Sequence, residues 1–420
     1  MSLRHAIMPA ALVAAITIIF TAGNVPSASV LVAAERAPSG EISRFIRALA
    51  DEPEEAKRDG ILARLQEYPA DEVASRWLDY MNGTGWSKKK ARIIDSMGEF
   101  NHRSFVLPLA NLLVSPNSEI RRSSARALKK IGDDRLYPII LRMVNSDVPV
   151  HKIYFIEAMN HLFDHRFYPS LTGLLRDGNK SIRIYVINCL RENRILESLG
   201  LIRSTAQSDR NDEVRIVAIE ALGALRDGNS LGVLHSILND RSRDVRRESA
   251  RSLRILGYAA SVNPVSSRLN HEEDDGIKEI LLDTLANMKR IGDIRGAERI
   301  LLHDDNTELR IKAAHVIGFS PSLGAMAALR RALPDPDRLV RAEACNSLGN
   351  YRNRQALEGL LDVLGGTDSV YVRSAALHSI RRINDKSSLL ALFDLHVREK
   401  NPIMKALMRE AIRDFIRRFV

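Results

Sequence analysis

The stretch HLFDH places His161 and His165 four residues apart, the spacing at which one helix face can offer two imidazoles to a metal ion. The repeat register described below sets Asp164 in a turn, so a helix would end between the two rings. No HExxH is formed and no third ligand is evident. A second cluster, HEEDD at 271–275, is rich in chelating groups. It occupies a turn between repeats and lacks the Asp-x-Asp-x-Asp-Gly spacing of a calcium loop. The two cysteines, Cys189 and Cys345, stand five repeats apart. At roughly 10 Å per stacked helix layer they are too distant for a disulfide. No nucleophile elbow, phosphate-binding glycine loop, dinucleotide fingerprint or paired Cys-x-x-Cys occurs. The expectation is a chain with no catalytic residue, no metal and no cofactor.

The most regular chemistry is cationic. Lys90, Arg121, Lys152, Arg183, Arg215, Arg246, Lys278, Arg310, Arg341, Arg373 and Lys405 follow one another at 31 or 32 residues. Such a column could grip a polyanion, or it could hold the architecture together. A second column decides between these. Asp147, Asp177, Asp209, Asp240, Glu272, Asp304, Asp335, Asp368 and Glu399 stand just ahead of the cations, in nine of the ten turns between units; the exception is the turn at Ser115. Acids before a helix suit its N-terminal dipole and can accept its free N–H groups. An arginine can bond such an acid and a turn carbonyl at once. Cations repeated with matched acids are largely neutralised, so Arg121, Arg183, Arg215, Arg246, Arg310, Arg341 and Arg373 are expected to form a structural ladder.

A less regular strip follows in the second half of the units: Arg142, Arg203, Arg268, Arg299 and Arg331, with Asp362 and Asp394 at the same place further on. It could be an ordinary solvated face. It is also the candidate partner-binding strip, because a surface running from positive to negative would orient an elongated partner. Interleaved aromatics, which single-stranded nucleic acid would need, are missing. A protein partner is expected and nucleic acid is not.

These residues need elements to position them, and the elements repeat. With the residue before each cation as position zero, the register runs through Lys89, Ile120, His151, Ile182, Val214, Val245, Ile277, Leu309, Val340, Val372 and Met404, eleven units in all. Eight residues further on, every unit has an aliphatic residue or Met, from Met97 to Ile412; seven further on, every residue is small or β-branched, from Ser96 to Ala411. Apolar residues at 0, 4, 8 and 11 form one stripe of an α-helix. The small column lets a neighbouring helix approach. The turn RDGN, at 226–229 and again at 176–179, is expected to end that helix on a left-handed glycine. A shorter apolar segment such as SLGVLHSIL, 230–238, then supplies a second helix. No unit can bury its stripe alone, so the stack is the fold.

The period excludes tetratricopeptide and ankyrin units, whose signatures are absent. The stretches DEVRIVAIEALGAL, DRLVRAEACNSLGN and EIRRSSARALKKIG resemble the short HEAT-like repeats named after the phycocyanobilin lyases. The resemblance covers about 87–420. It implies an all-α fold, a right-handed α-solenoid of about eleven 31–32-residue helical hairpins, with the second helices on the concave face. Deoxyhypusine hydroxylases resemble this fold, but their di-iron site needs several His-Glu dipeptides, and here there is one, His271-Glu272. No bilin-handling residues can be carried over either.

The ends differ from the array. The start, MSLRHAIMPAALVAAITIIFTAGNVPSASVLVAAER, has the basic, apolar and small-residue zones of a secretory signal peptide over 1–34. Cleavage after Gly23, Ser29 or Ala34 would fit. The alternatives are an uncleaved anchor, giving an N-terminal membrane tether, and a buried helix. Residues 35–86 read as three helices that cap the array and carry a net charge of −4; of the overall +10, residues 87–420 hold +13. The last helix would close the other end or, by its basic amphipathic face, touch a membrane. The function expected is that of an exported, periplasmic or extracytoplasmic scaffold that binds protein. The alternative is an accessory subunit or chaperone of an envelope enzyme or cofactor-handling system.

Overall fold

The structure, a computed structural model, describes residues 39–83, 88–162 and 164–419. The expected signal segment, 1–34, lies outside the described residues. Those residues form twenty-four α-helices and no strand. Three helices, Ser39–Asp51, Glu55–Leu65 and Ala70–Gly83, precede the array. Eleven leading helices then run from Lys88–Phe100 to Pro402–Phe419, alternating with ten mostly shorter trailing helices, from Val106–Leu112 to Ser388–Arg398. Leading helices stack on one another in one layer, and trailing helices form the second. No helix among the described residues is long and apolar enough to cross a membrane.

The columns account for the stacking. Every residue at positions 4, 7 and 8 is buried, from Ile93, Ser96 and Met97 to Met408, Ala411 and Ile412. The glycine of the Ala-Leu-Gly signature has a steric reason. A Cβ on Gly223 would sit 2.7 Å from Oγ of Ser252, the position-7 residue of the next unit; a Cβ on Gly98 would sit 2.6 Å from Cα of Ala127, its counterpart. Small residues on both sides bring two helix backbones into contact. At the N-terminal end Trp77 is buried against Phe100 and Phe105, at ring distances of 5.4 and 5.7 Å, joining the first three helices to the array.

The RDGN turns differ from expectation. At 226–229 the left-handed residue is Arg226, with φ 54°, while Gly228 opens a 3₁₀ turn and faces the Tyr258 hydroxyl. The same letters at 176–179 make the other kind of turn, between units, where Asp177 is a ladder acid. Identical tetrapeptides thus serve two junctions, because the helix packing around each one, and not its glycine, sets the backbone. Left-handed glycines do end Ser118–Ile131 and Arg243–Leu256, at Gly132 and Gly257.

Candidate protein-binding surface

Arg183 illustrates how the cation column is used. Its Nε and Nη2 each donate to the Asp209 carboxylate at 2.8 Å, and Nη1 donates to the Asp177 carbonyl at 2.8 Å. Asp177 precedes the unit and Asp209 closes it, so one guanidinium ties two consecutive turns. Arg246 repeats this with Glu272 and the Asp240 carbonyl, at 3.1 and 3.0 Å. Arg310 uses Asp335 and the Asp304 carbonyl, at 3.0 and 2.9 Å. Arg341 uses Asp368 and the Asp335 carbonyl, at 2.6 and 2.8 Å. Arg373 pairs with Glu399 and donates to the Leu364 carbonyl at 2.9 Å. Lys152 and Lys278 reach Asp177 and Asp304 at 2.8 and 2.9 Å.

Four rungs depart from the pattern, Lys405 because no acid among the described residues pairs with it. Arg121 passes by the exposed Asp147 and pairs with Glu157 of the next leading helix at 2.8 Å, its guanidinium 4.2 Å from the Tyr154 ring centre. Lys90 donates to the Met81 carbonyl at 3.2 Å. Arg215 is rotated: Asp240 and Asp212 hold its terminal nitrogens, leaving Nε buried without a partner.

The acids do not cap the following helix directly, as the sequence suggested for most turns. Every acid but Asp147 folds its own turn. Asp177, Asp209 and Asp304 accept the N–H of Asn179, Asn211 and Asn306 at 2.8, 2.9 and 3.0 Å. The asparagines are the caps: Asn211 accepts from Glu213 and Val214 at 3.1 and 3.3 Å, and Asn306 accepts from Glu308 at 3.0 Å. The Asp-x-Asn spacing carried this signal, since a side-chain carbonyl ahead of a helix is a strong cap.

The strip on the trailing helices divides. Arg203 bonds the buried Asp227 of the next unit at 2.7 Å, and Arg268 bonds the buried Glu272 at 2.8 Å. These two are engaged in internal pairs, their side chains 28 and 15% exposed. Arg331 is exposed and pairs with Glu298; Arg299 is exposed and grazes the Leu269 carbonyl at 3.4 Å. Arg142, Asp362 and Asp394 are exposed. Between the trailing helices Tyr168–Gly173 and Leu199–Ser208 lies a groove of about 750 Å³, lined in part by Gly173, Ser204 and Ser208 and edged by the exposed Arg176 and Arg210. Short side chains open it, a feature not sought in the sequence.

The remaining candidates have structural surroundings. The leading helix Pro149–Leu162 ends between His161 and His165, and Asp164 accepts the N–H of Arg166 at 2.8 Å. Burial, with Arg126 and Arg122 nearby, lowers the His161 pKa. In HEEDD, Glu272 is taken by two arginines, while Asp274 caps Ile277 at 2.9 Å and pairs with Arg243 at 2.7 Å. Among the described residues no three His, Cys, Asp or Glu side chains converge as a metal site would need. Cys189 and Cys345 are buried and free, and burial pushes both thiols up to about 12.

Comparison with known proteins bears on this arrangement. The model of HEAT repeats matches residues 74–160, 200–286, 296–381 and 329–413. Deoxyhypusine hydroxylase of Arabidopsis thaliana is 25% identical over 191 residues, which is 44% of this chain and 60% of that protein. Among solved structures, the karyopherin Kap121p bound to the extreme C-terminus of the protein phosphatase Cdc14p is similar at a TM-score of 0.52 and 15% identity, covering 90% of this chain and 50% of that one. Kap121p bound to RanGTP gives 0.53 and 15%, covering 89% and 49%. The chain therefore spans about half the length of these solenoids, and the likeness is one of fold.

Proposed function

Because this chain belongs to the HEAT repeat family, we propose that it is a non-catalytic scaffold whose trailing-helix face, as the concave surface, binds a protein partner. The carrying observation is how the two charged columns are used. The ladder cations from Arg121 to Arg373 are paired internally, whereas Arg142, Arg299, Asp362 and Asp394 remain exposed along the trailing helices, positive first and negative last. Such a gradient steers and orients an elongated partner more than it tightens binding. The likeness to deoxyhypusine hydroxylase leaves this reading in place. The one His-Glu dipeptide has its glutamate 1% exposed and held by Arg246 and Arg268, so it has no free carboxylate for iron.

The short-repeat subtype of the phycocyanobilin lyases and an extracytoplasmic location, through residues 1–34, belong to the same proposal. They rest on the repeat motif and the three-zone N-terminus. Cell fractionation with N-terminal sequencing tests the location; a cytosolic chain with Met1 intact overturns it. For the scaffold, cross-linking of the full chain should return a discrete protein neighbour on the trailing helices. Turnover of a small molecule dependent on His271 would overturn the non-catalytic reading.

A further inference from the structure

The groove between the trailing helices Tyr168–Gly173 and Leu199–Ser208 does not stop at Ser208. A second hollow of about 460 Å³ continues from it toward the next trailing helix, Leu231–Ile237, and shares Ser208, Asp209 and Arg210 with it. The depth has its origin at position 22 of the repeat. Arg142 and Arg299 stand there on either side, whereas the four units between them carry Gly173, Ser204, Ser236 and Ser267, all exposed. The first three of these line the two hollows. The strip of long charged side chains is thus interrupted by a channel in which a polypeptide can lie against three trailing helices.

Each of three successive turns sets one exposed arginine on the edge of this channel: Arg176, Arg210 and Arg241. None of them pairs with a carboxylate among the described residues. The acids in the walls are already held from within, Asp177 by Lys152, Asp209 by Arg183, and Asp212 and Asp240 by Arg215. Arg210 donates to the Gly178 carbonyl at 2.8 Å, which uses one of the five N–H groups a guanidinium offers. Arg241 stands near Asp212, whose main partner is Arg215. At each turn the C-terminus of a trailing helix meets the N-terminus of a leading one, so the helix-end charges offset. The three arginines therefore set the sign of the rim.

We propose that this channel binds an extended acidic segment of a partner protein, with its carboxylates on Arg176, Arg210 and Arg241. Stacked layers stand roughly 10 Å apart and an extended chain advances roughly 3.3 Å per residue. An acidic residue at about every third position then meets one arginine per turn, and an arginine can take a carboxylate through two parallel N–H bonds. A nucleic-acid strand fits less well. It carries a charge at every nucleotide, which the wall aspartates repel, and no aromatic side chain lines either hollow for its bases. This site rests on the scaffold reading and gives it a place and a partner chemistry.

The test uses the full chain in its native cells. Leu201→p-benzoylphenylalanine and, separately, Gln207→p-benzoylphenylalanine place a photo-cross-linker on exposed wall positions of the channel, and Arg142→p-benzoylphenylalanine places one on the strip outside it. The expected adduct at 201 or 207 maps to a partner segment with Asp or Glu at about every third residue. Changing Arg176, Arg210 and Arg241 together to Gln should cut its yield roughly tenfold or more at an unchanged melting temperature, and changing them to Lys, which keeps the charge, should cut it far less. Arg176→Gln alone, which has no internal bond to lose, should already lower the yield. Adducts to lipid, to nucleic acid, to a second copy of this chain or to a basic or uncharged segment overturn the proposal. So do adducts indifferent to the Gln changes, or none at either channel position. Protein adducts at 142 with none at 201 and 207 leave the scaffold reading standing and remove only the channel; no protein adduct at any of the three positions removes both.

Discussion

Arg183 and Asp209, 26 residues apart in sequence, meet in a two-pronged pair at 2.8 Å while only 3 and 8% exposed. Between them they fasten the turn that opens a unit to the turn that closes it. Removing one partner of a buried pair strands the other charge, which typically costs about 3–5 kcal/mol. Arg183→Ala should therefore lower the melting temperature clearly, as measured by circular dichroism. Arg142→Ala, on an exposed and unpaired arginine, should leave it within about 0.5 kcal/mol. Equal effects would contradict the division between ladder and strip.

Acid should loosen the ladder. The Arg341 hydrogen bond holds the Asp368 carboxyl below its usual range, and the Arg373 hydrogen bond does the same for Glu399. For a depressed folded pKa the stabilisation is fully present above the unfolded value, about 4 for a carboxyl. It is lost as the pH falls through the folded values. Urea midpoints should decline gently below about pH 6.5, because burial lowers the pKa of His161 and His235 and the unfolded chain then binds more protons, and should drop more steeply below about 5. Arg341→Met should flatten part of that drop, since the pair that titrates would be gone.

The leading-helix contacts offer a packing test. Leu222 is fully buried, so Leu222→Ala should destabilise by about 2–5 kcal/mol. Gly223→Val would drive side-chain atoms into Ser252, for a loss of about 1–3 kcal/mol. Coupling Gly223→Val with Ser252→Gly should recover part of it. A double-mutant cycle showing no recovery would remove the close-approach explanation of the glycine.

Both thiols are buried and pushed up to about 12, and the thiolate is the reactive form. A thiol reagent at neutral pH should label neither Cys189 nor Cys345 in the folded chain, and both in denaturant. Rapid labelling of the native protein would show that these units open.

The repeat, its phase and the internal use of arginine were legible in the sequence because each depends on one local period. Position 8 is aliphatic or Met in every unit and is buried in every unit. What the sequence could not show was which of the acids within reach each arginine takes. Arg121 prefers Glu157 over Asp147, and Arg203 and Arg268 turn inward to Asp227 and Glu272. These outcomes depend on where neighbouring backbones lie to within an ångström or two, which spacing alone does not specify. The left-handed Arg226 in RDGN was missed for a related reason, since residue preference favours glycine there and packing overrode it.

The rungs also bear on how such a chain can change over time. Six of the seven ladder arginines span a nearly constant stretch of sequence, 25 to 27 residues from Arg215–Asp240 to Arg341–Asp368, Arg121–Glu157 being the longer exception. Inserting or deleting a whole unit preserves every remaining rung, because the cation and acid on each side of the join still find one another at the same reach. Gaining or losing a few residues inside a unit breaks that unit's rung and leaves its acid buried alone. Length in this architecture is therefore free to vary in steps of about one repeat and resists variation in between.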